Sequence, residues 1–449
     1  MSLTPSIGVF RYPAYARYWV MRQLMSSSRQ MTTVAIGWQA YDIARRTRTV
    51  EESALILGFI GLTMFAPVLI LSLVGGQAAD RFDRKLILLV THILKASTLA
   101  MLSLYAVGMG DPPLWILFVA AGMLGCINAF MPAASNALYP TLVPREMLPN
   151  AIGWNSLGFQ TSAIAGPAIG GFLYLAGAAT VYGVGAIMTA IAAVIILTMK
   201  TPKHIAPKDA RGIAMMLEGL RYVRDNKLVL GAISLDLVVV FFGGATALLP
   251  VFARDILHVG ASGLGFLRAA PAAGALIVAV SLATAPLKRR VGKWMFGAIA
   301  VYGLAMLGFG LSNAFALSMV ALAIAGGADM ISVYVRQSLI QLSTPDFMKG
   351  RVASVSFIFI SASNELGEFE SGVAARFLGP VGAVLLGGAA ALTTAAAWTR
   401  IFPSLWRADA IEDTDEIYTS RPDRTRPVGA IPVDAKQLDA NEPSVVAKP

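Results

Sequence analysis

Charge is scarce in this 449-residue chain: 14% of its residues are Asp, Glu, Lys or Arg, against 56% hydrophobic. That balance excludes an ordinary soluble domain of this size. Cysteine is scarcer still. Cys126 stands alone inside an apolar run, which excludes an intramolecular disulfide and argues against a metal–thiolate site. Histidine is limited to His92, His204 and His258, too scattered for a metal constellation or a catalytic triad. No Gly-x4-Gly-Lys-Ser/Thr phosphate loop is present, which argues against direct ATP drive. Neither an enzyme nor a bound cofactor is expected. No basic segment followed by a short apolar stretch and a cleavage site opens the chain, so no removed signal peptide is expected.

What the chain has instead is apolar runs of membrane length, with a mean hydropathy of +0.66. Windows of roughly 20 apolar residues recur about twelve times. Spans are expected near 18–43, 53–79, 86–107, 114–142, 151–175, 180–199, 228–253, 263–287, 294–311, 314–342, 352–377 and 380–401. The fold class is therefore all-α and membrane-spanning. The net charge of +10 invites a nucleic-acid partner, but the charges lie in loops between spans, where membrane topology accounts for them.

Arginine and lysine also predict orientation. One side carries Arg11, Arg17, Arg81, Arg84, Lys85, Arg145, the 200–227 loop, residues 288–293, Lys349, Arg351 and the tail. The other carries Arg45, Arg46, Arg48, Arg254 and Arg376. Both termini are expected to be cytoplasmic, and the Arg45–Arg48 cluster runs against the rule without an explanation in the sequence.

Four segments follow: a six-helix half over 1–199, a linker over 200–227, a second half over 228–405 and a polar, proline-bearing tail over 406–449, expected to be disordered. Within the linker Ile213, Met216, Leu217, Leu220 and Val223 recur at helical spacing, as in an amphipathic helix lying on the inner membrane surface. A shift of 201 residues lays Pro144 on Pro345, Gly166 on Gly367 and Gly171 on Gly372, an internal repeat that supports two related halves.

The stretch from Gly75 to Lys85 organises the first half. It places five charges within six residues between two apolar runs, so it must stay at a membrane surface, while Gly75 and Gly76 permit close backbone approach. Gly76, Asp80, Arg81, Arg84 and Lys85 resemble the Gly-x-x-x-Asp-Arg-x-Gly-Arg-Arg/Lys loop of the major facilitator superfamily, with Asp83 replacing the second glycine. That resemblance implies two pseudo-symmetric six-helix halves and a conformational latch formed by Gly76, Asp80, Arg81, Asp83 and Arg84. Gly158, Gly166, Pro167, Gly170 and Gly171 permit close helix packing, and as a set they resemble the superfamily's antiporter motif, which favours export.

Charges inside spans are costly, so each is a functional candidate. Arg22 lies one turn in and could snorkel. Arg29 is about 15 Å deeper than the start of its span, and with Gln30 it is a candidate for an anionic substrate group or an acidic partner. Asp236 could line a cavity or be neutralised by Arg268, and Asp329 and Arg336 share a helix face. Ser361, Asn364, Glu365 and Glu368 form one polar stripe at i, i+3, i+4 and i+7. Glu365 and Glu368, with Asp236 and Asp329, are candidates for proton coupling; Arg29, Gln30, Asn364 and Arg336 for substrate binding. Alternatively, the two glutamates are counter-ions of Arg29, Arg336 or Arg376. Lys95 has no assignable role. The fourth span lacks the arginine found in many proton-coupled exporters of the superfamily, which places that route of coupling in doubt.

Phe10-Arg11-x5-Arg17-Tyr18-Trp19, residues 76–85 and 166–171, and Thr344-Pro345-x4-Gly350-Arg351-Val352 resemble the enterobactin-exporter-like, or transmembrane secretion effector, branch. The resemblance implies a monomeric inner-membrane exporter of siderophores or hydrophobic drugs, coupled to protons, with the bilayer as its other partner. A proton-independent facilitator or lysolipid flippase, and a non-transporting sensor, are the alternatives.

Overall fold

The computed structural model describes residues 7–201, 212–285, 287 and 289–408. The expected tail lies almost wholly outside these residues. Helix α1 (Pro13–Ala44) opens on a proline, whose missing N–H is one that the first turn leaves unused. Helix α2 (Val50–Arg81) starts in a capping box. Thr49 Oγ1 accepts from the Glu52 N–H at 3.2 Å, and Glu52 Oε2 accepts from the Thr49 N–H at 3.3 Å. Helix α3 (Arg84–Met109) is capped by Asp83, which accepts from the Lys85 N–H at 2.8 Å. Helices α4 (Leu114–Leu138), α5 (Leu148–Leu173) and α6 (Ala178–Thr198) complete the first half.

Helix α7 (Gly212–Asp225) joins the halves. In the second half, α8 (Lys227–Phe242) is capped by Asn226, which accepts from the Leu228 and Val229 N–H groups. After α8 the chain passes through 3-10, α and π turns to Ile256. Helices α9 (Gly260–Thr284), α10 (Val291–Leu311), α11 (Phe315–Leu342) and α12 (Asp346–Ile401) follow. Gly379, at φ 73° and ψ 163°, divides α12 into two arms ahead of Pro380, as the separate sequence spans anticipated.

Nine described stretches are long and apolar enough to cross a membrane, and the last contains both arms of α12. Helices α1 and α5, with 32 and 26 residues, have the length to cross and a more polar composition. Together these make the twelve helices of a two-half bundle. We call the end at which α1 begins proximal and the opposite end distal.

The halves are joined distally. There one hydrophobic cluster draws Val34, Tyr41, Ala54 and Leu57 together with Leu248, Phe252, Leu264 and Phe309. Proximally, among the described residues, each half keeps its own cluster, around Tyr15, Tyr18 and Leu138 in one and Val229, Phe296 and Leu405 in the other. Helix α7 docks on the second half: Val223 is buried, Tyr222 donates to the Ser343 carbonyl at 2.7 Å, and Glu218 pairs with Arg351 at 2.7 Å. Leu217 and Leu220 stay exposed, leaving an apolar edge at the proximal end.

Candidate functional site

Two glycine-on-glycine crossings seal the distal end. A Cβ added at Gly171 of α5 would lie 2.9 Å from Gly265 Cα of α9, and one at Gly372 of α12 would lie 2.9 Å from Gly58 Cα of α2. At such separations any side chain would force the helices apart. The 201-residue shift carries Gly171 onto Gly372, so the crossings are copies of one arrangement. The rest of the glycine motif packs α5 on α1, with Gly158 against Gln23, Gly166 against Gln30, and Gly170 against Met31.

Directly below both crossings lies a charge cluster. Glu368 is one turn before Gly372, and Arg268 is one turn after Gly265. The Glu368 carboxylate feels the charges of Arg268, from α9 of the same half, and of Arg29, from α1 of the first half, and Thr246 adjoins it. Glu368 Oε2 would be 3.2 Å from a Cβ on Gly61, one turn along α2 from Gly58. Arg268 Nε is buried without a hydrogen-bond partner. Arg29 and Asn364 are exposed, although both are far from the helix ends. Asn364 Nδ2 donates to the Ile360 carbonyl at 2.9 Å. The Glu365 side chain lies outside the described residues.

A second cluster occupies the second half. Asp236 pairs with Arg336 at 2.6 Å, both side chains 5% exposed. Of the two alternatives for Asp236, the pair with Arg268 is not formed among the described residues. Arg336 is buried, and the carboxylate one helix away supplies its counter-charge. Asp329, Tyr302 and Ser332 line the same small cavity, and Asp329 itself is exposed.

Arg45 and Arg46, two of the three arginines in the cluster that breaks the charge rule, have acidic partners. Arg45 pairs with Asp255 at 3.2 Å, and Tyr41 donates to the same carboxylate at 2.5 Å. Arg254 returns the contact to Asp42 at 2.8 Å, so α1 and the π turn after α8 exchange two ion pairs of opposite sense. Arg46 pairs with Asp42 at 2.9 Å and with Asp111. Glu52 and Arg376 add a further link between halves at 3.5 Å.

The charged loop of the first half is turned mainly toward helix ends. Arg84 Nη1 donates to the Ala137 carbonyl at 2.8 Å, and Lys85 Nζ donates to the Leu197 and Met199 carbonyls at 3.0 and 2.7 Å. These are carbonyls that the last turns of α4 and α6 leave without helical partners. Asp80, Arg81 and Asp83 are exposed. Close backbone approach occurs at Gly75, against Ala129 of α4; a Cβ at Gly76 would meet nothing within 4 Å, which corrects the expectation for that residue.

Arg22 donates to the Tyr18 hydroxyl at 2.9 Å and to Ser135 Oγ at 3.2 Å, both within the protein. Met21, Met25 and Met31 are buried in the core. Lys95 is 3% exposed and reaches the Met25 carbonyl at 3.4 Å. Sequence reasoning missed Gly58, Gly265, Arg268 and Asp255 as parts of the distal closure. A 207-residue offset between Gly58 and Gly265 was the available signal for the glycines.

A family model described as "Transmembrane secretion effector" matches residues 4–422. The enterobactin exporter EntS of Shigella dysenteriae serotype 1 (strain Sd197) is 27% identical over 388 residues, covering 85% of this chain and 86% of that protein. EntS of Escherichia coli O1:K1 / APEC gives the same figures. Among solved structures, a bacterial homolog of the human lysosomal transporter Spinster, inward-facing and unoccupied, has a TM-score of 0.66 at 16% identity, covering 92% of this chain and 99% of that one. The inward-open xylose transporter XylE from E. coli has a TM-score of 0.64 at 11% identity, covering 91% and 99%. These likenesses agree with the fold.

Proposed function

Because the chain belongs to the transmembrane secretion effector family, we propose that it exports a small amphipathic organic molecule by alternating access, in exchange for protons. It is a multi-pass membrane transporter and not an enzyme. The proximal end is taken as cytoplasmic, in the inner membrane, from the loop arginines and lysines. A siderophore is the favoured substrate class, on the strength of the relatives named enterobactin exporters.

The observation that carries the reading is the placement of Glu368 and Arg268 one turn from the two glycine crossings. An antiporter must not return empty: its unloaded, ionised form has to stay shut, while a protonated or substrate-loaded form exchanges. An ionised Glu368, facing Arg268 of its own half, also attracts Arg29 of the first half and so supports the shut form, because parting the halves weakens that attraction. A proton on Glu368, or an anionic substrate group competing for Arg268 and Arg29, removes that restraint. Glu365 would share the proton role. Asn364, Gln30 and Arg29 would offer the polar contacts to substrate. Asp236, Asp329 and Arg336 would form an auxiliary proton site, Arg336 having first to leave its ion pair to meet substrate. Gly76, Asp80, Arg81, Asp83 and Arg84 would act as the latch in the opposite state.

The test uses purified protein in proteoliposomes with a trapped pH dye and a panel containing enterobactin and lipophilic drugs. Proton movement should accompany one class of compound and fall at least tenfold in Glu368→Gln. Substrate flux without proton flux would make the protein a facilitator, and unchanged coupling in Glu368→Gln would remove the residue from the mechanism.

A further inference from the structure

One well-formed cavity lies away from the seam between the halves. It is an apolar groove of about 840 Å³ on the outer face of the second half, between α9, α10 and α11. Its floor is made by small residues: Gly274 on α9, Gly297 on α10, and Gly327 on α11. A Cβ at Gly297 would meet nothing within 4 Å, so the groove is open at its middle. At its proximal rim stand Arg290, Lys293 and Trp294, all exposed. Arg289, also exposed, adjoins them.

The dimensions match one leaflet. From Arg290 at the rim to Val301 near the groove's far end, α10 rises about 16 Å. That is half of the roughly 30 Å hydrocarbon core. The groove thus runs from the depth of the headgroups toward the bilayer midplane, with cations and an amphipathic tryptophan at the headgroup end. A zwitterionic lipid carries its own cation beside the phosphate and gains less from the basic rim. An anionic one satisfies both ends.

The counterpart loop of the first half sharpens the contrast. Arg81-Phe82-Asp83-Arg84 corresponds to Arg290-Val291-Gly292-Lys293. In the first half Arg84 and its neighbour Lys85 are turned toward helix-end carbonyls. In the second half Gly292 instead packs against the carbonyls of Leu405 and Trp406, and its N–H donates to the Ala408 carbonyl at 3.0 Å. The helix start is thus held by backbone, and Lys293 makes no hydrogen bond or ion pair among the described residues. Arg290 adopts a left-handed conformation, φ 56° and ψ 36°, immediately before α10.

We propose that this groove is a binding site for one anionic phospholipid of the surrounding bilayer, its acyl chain along Gly297 and its phosphate at Arg290 and Lys293. The chemistry is that of basic pockets between transmembrane helices, which hold anionic headgroups.

The test is native mass spectrometry of the full chain, released from detergent with phosphatidylglycerol or phosphatidylcholine. Wild type should retain one phosphatidylglycerol in clear preference to phosphatidylcholine. R290N/K293Q removes both charges while keeping a residue that tolerates the left-handed backbone. It should lose roughly 25-fold in that preference, about fivefold per charge. Charge-preserving Lys293→Arg should retain it, and Gly297→Leu, which fills the groove, should lower retention of both lipids. Equal retention of the two lipids by wild type would overturn the proposal. So would an unchanged preference in R290N/K293Q with its melting temperature intact, or retention of glycerol phosphate alone.

Discussion

Asp236 and Arg336 show what a buried charge costs when its partner is removed. Both side chains are 5% exposed and 2.6 Å apart. Arg336→Met would leave the carboxylate buried without a counter-charge, a loss of about 3–5 kcal/mol. Thermal unfolding in detergent should show it, and D236L/R336M should recover most of it. The individual charges were legible in the sequence, since each ionisable residue within a span is conspicuous. Their partners were not. The sequence offers Arg268 as one possible partner for Asp236, whereas the fold turns Arg268 toward Glu368 and brings Arg336 to Asp236. Which of several arginines meets a given acid depends on helix rotation, and a polar stripe does not specify that.

Helix ends account for much of what the charged loops do. Lys85 serves two carbonyls at the end of α6, so Lys85→Ala should lower stability by about 1–2 kcal/mol. The effect would appear in unfolding, with substrate affinity unchanged. At the distal end, burial alone would raise the Asp111 carboxyl, but hydrogen bonds from Gln39 and Arg46 hold it below its ordinary value. A depressed folded value means that this contribution is full above the unfolded value near 3.9 and is lost as pH falls through the lower folded one. The stability gap between wild type and Asp111→Asn should therefore be present at pH 7 and close below about pH 4. Helix positions were largely readable, because membrane length and loop charge are one-dimensional signals. The Arg45–Arg48 exception was only partly so: Asp42 is one turn before Arg46 on the same helix, but Asp111 and Asp255 come from separate segments that only the fold assembles.

At the scale of the whole molecule, the internal repeat predicted two halves, and the glycine motif marked one of the two crossings that join them. The second crossing was harder to read, since Gly58 and Gly372 lie in runs where small residues are common. Gly372→Leu should hold the distal end apart. Spin labels at Arg48 and His258, one on each half and both exposed, would report a longer separation. The same labels test the link between charge and closure most directly, by recording their distance distribution from pH 8 to pH 5 in wild type and in Glu368→Gln. The account predicts a short distance at high pH in wild type, with a longer population growing as pH falls, and a mixed, pH-independent distribution in the variant. The same pH response in both proteins would contradict it.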